Sequence, residues 1–185
     1  MTFRENRYLL VREILPEEIL DYLKGYYRLL IAKNRFTRGD NQCPSSLRLY
    51  GDLGLDAMLE WIKPEMCRLT DLDLVPTYSY TRVYSQGEIL KPHTDRPACE
   101  ISLTISIRIP PGCPRSVLWL NPGVPIGIEM QEGDGLIYAG CEIEHWREPI
   151  PQPGYIQLFL HFIRRDGSNF PALAYDGRGH FETLI

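Results

Sequence analysis

The chain has 185 residues, the size of one domain built on a single ordinary core. A hydrophobic share of 44 % and a charged share of 24 % exclude a disordered, collagen-like or bilayer-spanning chain. A net charge of −4 without a clustered basic face argues against nucleic acid as a partner, and five scattered cysteines without a C-x-x-C pair argue against a disulfide framework or a zinc–cysteine site.

Residues 1–18 carry charge throughout and hold no secretory apolar core, so the expected compartment is the cytoplasm, with no membrane association. After Pro16, the residues Ile19, Leu20, Leu23, Tyr26, Tyr27 and Leu30 recur at three- and four-residue steps, which predicts a buried helix face. A loop follows around Arg38–Pro44; its Arg38-Gly39-Asp40 tripeptide is too short to carry weight as an adhesion signal. Leu55, Met58, Leu59, Ile62 and Met66 predict a second helix, which Pro64 should kink or split. From about Val75 the period changes to two: Tyr78, Tyr80, Arg82 and Tyr84 alternate with smaller residues. Short strand-like runs then follow at Ile101–Ile107, Ser116–Leu120, Leu136–Tyr138 and Ile156–Phe162, separated by Gly and Pro. Helices first and short strands after predict an α+β, mainly β domain, a sandwich or barrel with helices outside.

Four histidines carry most of the chemical signal. In an extended segment residues i and i+2 share a face, so His93 and Asp95 of His93-Thr94-Asp95 can meet one ion, although H-x-D alone is a weak motif. His145 lies far downstream, after the strand-like Asp134–Gly140. Two imidazoles and one carboxylate fill one face of an octahedral ion and leave three positions open, the facial triad of non-haem Fe(II) oxygenases. His161, inside the apolar run Leu158–Phe162, rivals His145 for the third position but suits a satisfied core histidine or a group that orients a metal-bound water. His180 reads as solvated. Trp119 and Trp146 read as core or pocket wall, with Trp146 at the substrate mouth, and Arg96 and Glu100 read as a possible pair.

The segment Tyr80–Asp95, with Tyr84, Gly87 and then His93-Thr94-Asp95, resembles the 2-oxoglutarate/Fe(II) dioxygenases of the prolyl-hydroxylase-like kind. Gly133-Asp134-Gly135-Leu136-Ile137-Tyr138, followed by His145 and Pro149, is similar to that family's distal-histidine block. The resemblance spans about residues 78–163. It implies a double-stranded β-helix (jelly roll) core with N-terminal supporting helices, Fe(II) held by His93, Asp95 and His145, and 2-oxoglutarate and O2 as co-substrates. No catalytic residue beyond the metal ligands is then expected. One departure stands out. The family anchors the far carboxylate of 2-oxoglutarate with a basic residue about ten positions past the distal histidine, where this chain has Gly154, Tyr155 and Ile156. Arg147, at i+2 from His145, is the first candidate anchor, Arg82 the second and Arg108 the third, with Tyr84, Thr104 and Gln157 as polar neighbours. A surface salt bridge of Arg147 with Glu144 or Glu148 is the competing reading.

One domain over residues 1–185 is expected, with helical support at about 15–70 and the jelly-roll core at about 75–165. The expected function is a hydroxylase acting on a peptide or small molecule with release of succinate and CO2. Residues 34–50 and 110–116 are the expected substrate loops. A cupin-like jelly-roll metal protein not using 2-oxoglutarate is the first alternative, and a metal-free ligand-binding sandwich is the second. The sequence leaves the prime substrate and the oligomeric state open.

Overall fold

Along the final strand Leu158, Leu160 and Phe162 alternate with Gln157, Phe159 and His161, and the two sets face different partners. The computed structural model describes residues 2–113 and 116–178. In chain order these form α1 (Phe3–Asn6), β1 (Tyr8–Val11), α2 (Glu17–Ala32), β2 (Thr37–Arg38), β3 (Leu47–Tyr50), α3 (Leu53–Thr70), β4 (Leu74–Tyr84), β5 (Leu90–His93), β6 (Ile101–Arg108), β7 (Ser116–Asn121), β8 (Ile126–Met130), β9 (Gly135–Tyr138), β10 (Glu144–Arg147) and β11 (Tyr155–Arg164). Short 3-10 turns lie at Pro97–Cys99 and Ala174–Gly177. His180 and Arg115 lie outside the described residues.

The strands make two antiparallel sheets, a seven-stranded one in the order β1-β9-β6-β11-β4-β3-β2 and a four-stranded one in the order β5-β10-β7-β8. From β4 to β11 the chain crosses back and forth between the sheets, with β4, β6, β9 and β11 in the large one and β5, the β7–β8 hairpin and β10 in the small one. This is the double-stranded β-helix pattern, so the fold is α+β and mainly β, a jelly roll with helices before it.

The outer face of the large sheet carries Ile101, Leu103, Ile105, Ile107, Leu158, Leu160 and Phe162, which join Leu20, Leu23, Tyr27 and Leu30 of α2 and Leu55, Leu59, Ile62 and Met66 of α3 in one core. The Tyr27 hydroxyl donates to Thr81 Oγ1 at 2.8 Å, and Thr81 in turn donates to the Gln157 carbonyl at 2.7 Å, which pins α2 to β4 and β11. Asp52 caps α3, accepting from Gly54 N and Leu55 N. The inner face of the large sheet carries a different set, including Tyr78, Arg82, Tyr84, Ser102, Thr104, Gln157 and His161, all buried. Leu136 and Tyr138 of β9 meet Leu118, Leu120 and Met130 of the small sheet, closing the sandwich.

Two expectations need correction. Helix α3 runs unbroken through Pro64. Pro64 lies on the solvent side, where water can satisfy the carbonyl it leaves free, while Ile62 and Met66 keep the adjoining turns packed. The first third is also not purely helical. β1 joins one edge of the large sheet against β9, and β2 and β3 extend the other edge beyond β4. Strands this short give too few residues for a period of two to register. No helix among the described residues is long and apolar enough to cross a membrane.

Leu59→Ala removes a side chain that is 2 % exposed and should lower unfolding free energy by about 2–5 kcal/mol, whereas Tyr27→Phe should cost about 1 kcal/mol. Urea melts with an unchanged slope would check both values.

Candidate metal centre

Sheet register brings the two histidines together. β10 pairs antiparallel with β5, with His145 directly opposite His93, and the imidazole centroids are 4.3 Å apart. His93 Nδ1 lies 2.8 Å from the Lys91 carbonyl and His145 Nδ1 2.9 Å from the Ile143 carbonyl. In the neutral tautomer each Nδ1–H donates to its carbonyl, so each Nε2 keeps its lone pair for the space between them. Burial first, and His145 second, hold the His93 imidazole below its ordinary value, which favours that neutral form.

Asp95 completes the set. Its Oδ1 is 3.5 Å from His145 Nε2 and 3.7 Å from His93 Nε2, and all three ligand atoms lie within 4.8 Å of one another. The Asp95 amide donates to the Gly140 carbonyl at 2.8 Å, which sets where the carboxylate emerges. A side chain at Gly140 would collide with Asp95 Oδ2 and fall 2.5 Å from the Cys99 carbonyl oxygen, so the residue must be glycine for Asp95 to fit. Burial raises the Asp95 carboxyl, but the facing imidazoles, His145 foremost, outweigh it and hold it below its usual range.

A hydrogen-bonded chain orients this carboxylate. Ser102 Oγ lies 3.1 Å from Asp95 Oδ2 and 2.9 Å from His161 Nδ1. Burial pushes His161 down to about 4 against the pull of Asp95, so the ring is neutral near pH 7. Neutral His161 can donate to Ser102, and Ser102 can donate to Oδ2, leaving Oδ1 turned to the histidines. Asp95, Cys99 and His161 form a second close group of ligand-type side chains. There Cys99 Sγ already contacts the Tyr78 hydroxyl at 3.0 Å, and burial raises the thiol.

A cavity of about 380 Å³ opens onto His93, Asp95 and His145, walled by Tyr80, Tyr138 and Phe159 among others. Among the described residues three arginines line it, Arg48, Arg82 and Arg96, and Arg147 does not. Arg147 is nonetheless buried, so it does not form the exposed salt bridge with Glu144 or Glu148; its Nη1 donates to the Val117 carbonyl at 2.9 Å. Its guanidinium lies 5.5 Å from the Tyr84 ring centre, and that of Arg82 lies 5.6 Å from the same ring. Tyr84 Oη and Arg82 Nε are buried without a hydrogen-bond partner among the described residues. Thr104 Oγ1 donates to Gln157 Oε1 at 2.9 Å and Gln157 Nε2 donates to Ser106 Oγ at 2.8 Å, a bonded row on the strands beside Arg82, which is register partner to Gln157. Arg108 is exposed and donates to the Gly154 carbonyl, away from the cavity.

Other expectations fall differently. Trp146 stacks on Trp119 at 5.9 Å; both alternate with buried inward residues of β10 and β7, so Trp146 faces outward and does not wall the pocket. Arg96 pairs with Asp176 at 2.7 Å and Glu100 with Arg164 at 2.5 Å, rather than with each other. Sequence reasoning did not find Ser102. Ser102 was signalled by Ser102, Thr104 and Ser106 alternating with Ile and Leu in a strand buried on both faces.

No family model matches the chain, and no curated protein matches it in sequence. Solved structures do match in fold. A Pseudomonas putida prolyl-4-hydroxylase superposes with a TM-score of 0.72 at 16 % identity, covering 88 % of this chain and 95 % of its own. A Trichoplax adhaerens prolyl hydroxylase, solved with a hypoxia-inducible-factor peptide fragment, gives 0.68 at 15 % identity, over 86 % and 85 %. The α-ketoglutarate-dependent epimerase SnoN of nogalamycin biosynthesis gives 0.69 at 13 % identity, over 88 % and 79 %. The chain thus has the prolyl-hydroxylase-like fold of the 2-oxoglutarate/Fe(II) oxygenases.

Gly140→Ala and Ser102→Ala should each weaken Mn(II) or Fe(II) binding by about 10–100-fold, because both disturb the group that orients Asp95. Metal titration checks this, and unchanged affinity in Ser102→Ala would remove the orienting role.

Proposed function

We propose that the protein is a non-haem Fe(II)/2-oxoglutarate-dependent oxygenase that hydroxylates a peptide or small-molecule substrate with release of succinate and CO2. The observation that carries this is the convergence of His93 Nε2, His145 Nε2 and Asp95 Oδ1 at one cavity wall of this fold. The donor set fits Fe(II): two imidazoles whose Nδ1 atoms sit on backbone carbonyls, which leaves each Nε2 to the metal, and one carboxylate, with no thiolate among them. The cavity fits a carboxylate-bearing co-substrate, because Arg82 in its wall has a buried Nε with no partner among the described residues.

When bound, iron and the keto acid supply O2 activation and oxidation of an unactivated C–H bond. The chain's own residues hold, orient and screen. His93 and His145 would hold the metal through Nε2, and their carbonyl partners prevent the rings from turning. Asp95 would give one oxygen, with Ser102 holding the other. Arg82 would take the distal carboxylate of the co-substrate in place of the basic residue missing after His145, with Tyr84 and Arg147 behind it. Tyr138, whose ring meets His145 edge-on at 4.7 Å, and Phe159 keep water from the metal-facing wall. Neither the peptide bound by the hydroxylase from Trichoplax nor the epimerisation by SnoN fixes this chain's substrate or outcome.

Anaerobic visible absorption during addition of Fe(II) and then 2-oxoglutarate tests the reading. A weak charge-transfer band that needs both components is expected, absent in Asp95→Ala. Arg82→Gln should raise the 2-oxoglutarate concentration at half-saturation by about tenfold or more, and Arg147→Gln by less. Iron binding without the band would favour a cupin-like metal protein, and no iron binding would favour the metal-free sandwich.

A further inference from the structure

The anchor proposed above does not stand alone in the cavity wall. Arg82 is 3 % exposed and pairs at 2.5 Å with Asp40, which comes from the loop between β2 and β3. That loop is tightly built. Gly39 has φ +65° and packs so closely on Pro44 that a side chain there would collide with the Pro44 carbonyl. Asp40 Oδ1 accepts from the backbone amides of Gln42 at 2.9 Å and Cys43 at 2.7 Å. Its Oδ2 accepts from the Tyr80 hydroxyl and from Arg82 Nη2. Gln42 Oε1 takes the same Nη2 at 3.2 Å. Burial opposes a charged Asp40, yet the bonds from Tyr80, the Cys43 amide and Arg82 hold its carboxyl at about 2.

The loop therefore grips Arg82 at Nη2 and leaves Nε, buried and without a hydrogen-bond partner among the described residues. The charges point the same way. Arg48 lies directly opposite Arg82 in the β3–β4 register and also lines the cavity. Like charges side by side on a sheet repel unless an anion lies between them. Arg48 donates Nε to the Gly39 carbonyl at 2.5 Å, and no carboxylate pairs with it among the described residues. Of these two guanidiniums only Arg82 is paired with a carboxylate among the described residues, so the Arg48 charge is left over beside it.

We propose that Asp40 is a positioning residue for the co-substrate pocket: it fixes the Arg82 guanidinium through Nη2 and presents its Nε edge, beside Arg48, to one further carboxylate. This rests on the reading of the cavity as a 2-oxoglutarate site and goes beyond it by assigning that specificity to the Arg38–Pro44 loop. The pocket then distinguishes a keto acid with a distal carboxylate from one of equal length without it. Charge alone would act oppositely, since removing Asp40 makes the wall more positive and should favour the dianion. The sign of the effect therefore decides between positioning and charge.

The test compares binding of 2-oxoglutarate and 2-oxovalerate to the Fe(II) protein, alongside the Arg82 Nε–H resonance of the ligand-free protein. In Asp40→Asn the preference for 2-oxoglutarate should fall about tenfold, 2-oxovalerate binding should hold, and the Nε–H signal should shift and broaden. Tyr80→Phe removes one donor to Asp40 without changing charge; it should give the same changes more weakly and covers the case that Asp40→Asn does not fold. An unchanged or increased preference in both variants, or an unmoved Nε–H signal, would overturn the proposal. If the wild-type protein does not distinguish the two keto acids, the anchor reading of Arg82 fails, and the ligand-free resonance still judges whether Asp40 holds Arg82.

Discussion

The antiparallel pairing of β5 with β10 is the contact on which the site depends. It sets His145 opposite His93 and lets two residues from distant parts of the chain share one ion-sized space. Because side chains alternate along a strand, a slip of one residue would turn His145 out to the face now occupied by Trp146. Two neighbouring contacts fix that register. β10 is also paired on its other side with β7, where His145 faces Leu120, and the Asp95 amide is bonded to Gly140 just before β10. The Trp119–Trp146 stack on the outer face adds a cross-strand pair to the same ladder.

The large sheet divides its labour by face. Its outer side is aliphatic and is covered by α2 and α3; its inner side carries hydroxyls, amides, histidine and arginine, nearly all hydrogen-bonded. Buried polar groups on this scale cost stability unless they are satisfied, and on the proposed reading those left without partners await the co-substrate. Arg82 Nε and Tyr84 Oη are two such atoms, and both lie on the inner side of β4. The helices thus provide the packing that lets the inner face be polar.

Much of this was legible in the sequence, for identifiable reasons. The α2 and α3 faces have strong three- and four-residue periods, and Leu74–Tyr84 and Tyr155–Arg164 are long enough to register as strands. His93, Asp95 and His145 could be grouped because a facial triad needs few residue types, and the H-x-D motif already places two on one face. What stayed hidden depends on chain reversals. Nothing in Arg38-Gly39-Asp40 says that the carboxylate reaches Arg82 across the sheet edge; that follows from the β2–β3 turn and the β3–β4 register. Arg147 shares the buried face of β10 with His145, as its spacing implies, but its guanidinium lies against the Val117 carbonyl and the Tyr84 ring rather than among the residues lining the cavity. Trp146 was misplaced for a simpler reason: adjacency in sequence on a strand means opposite faces.

The central claim is that one ion is held by His93, Asp95 and His145. The most direct measurement is the anomalous-scattering map of crystals grown with Mn(II). The account predicts a single peak in coordination contact with both Nε2 atoms and one Asp95 oxygen. A peak held by Asp95, Cys99 and His161 instead, or none at either group at saturating metal, would contradict it.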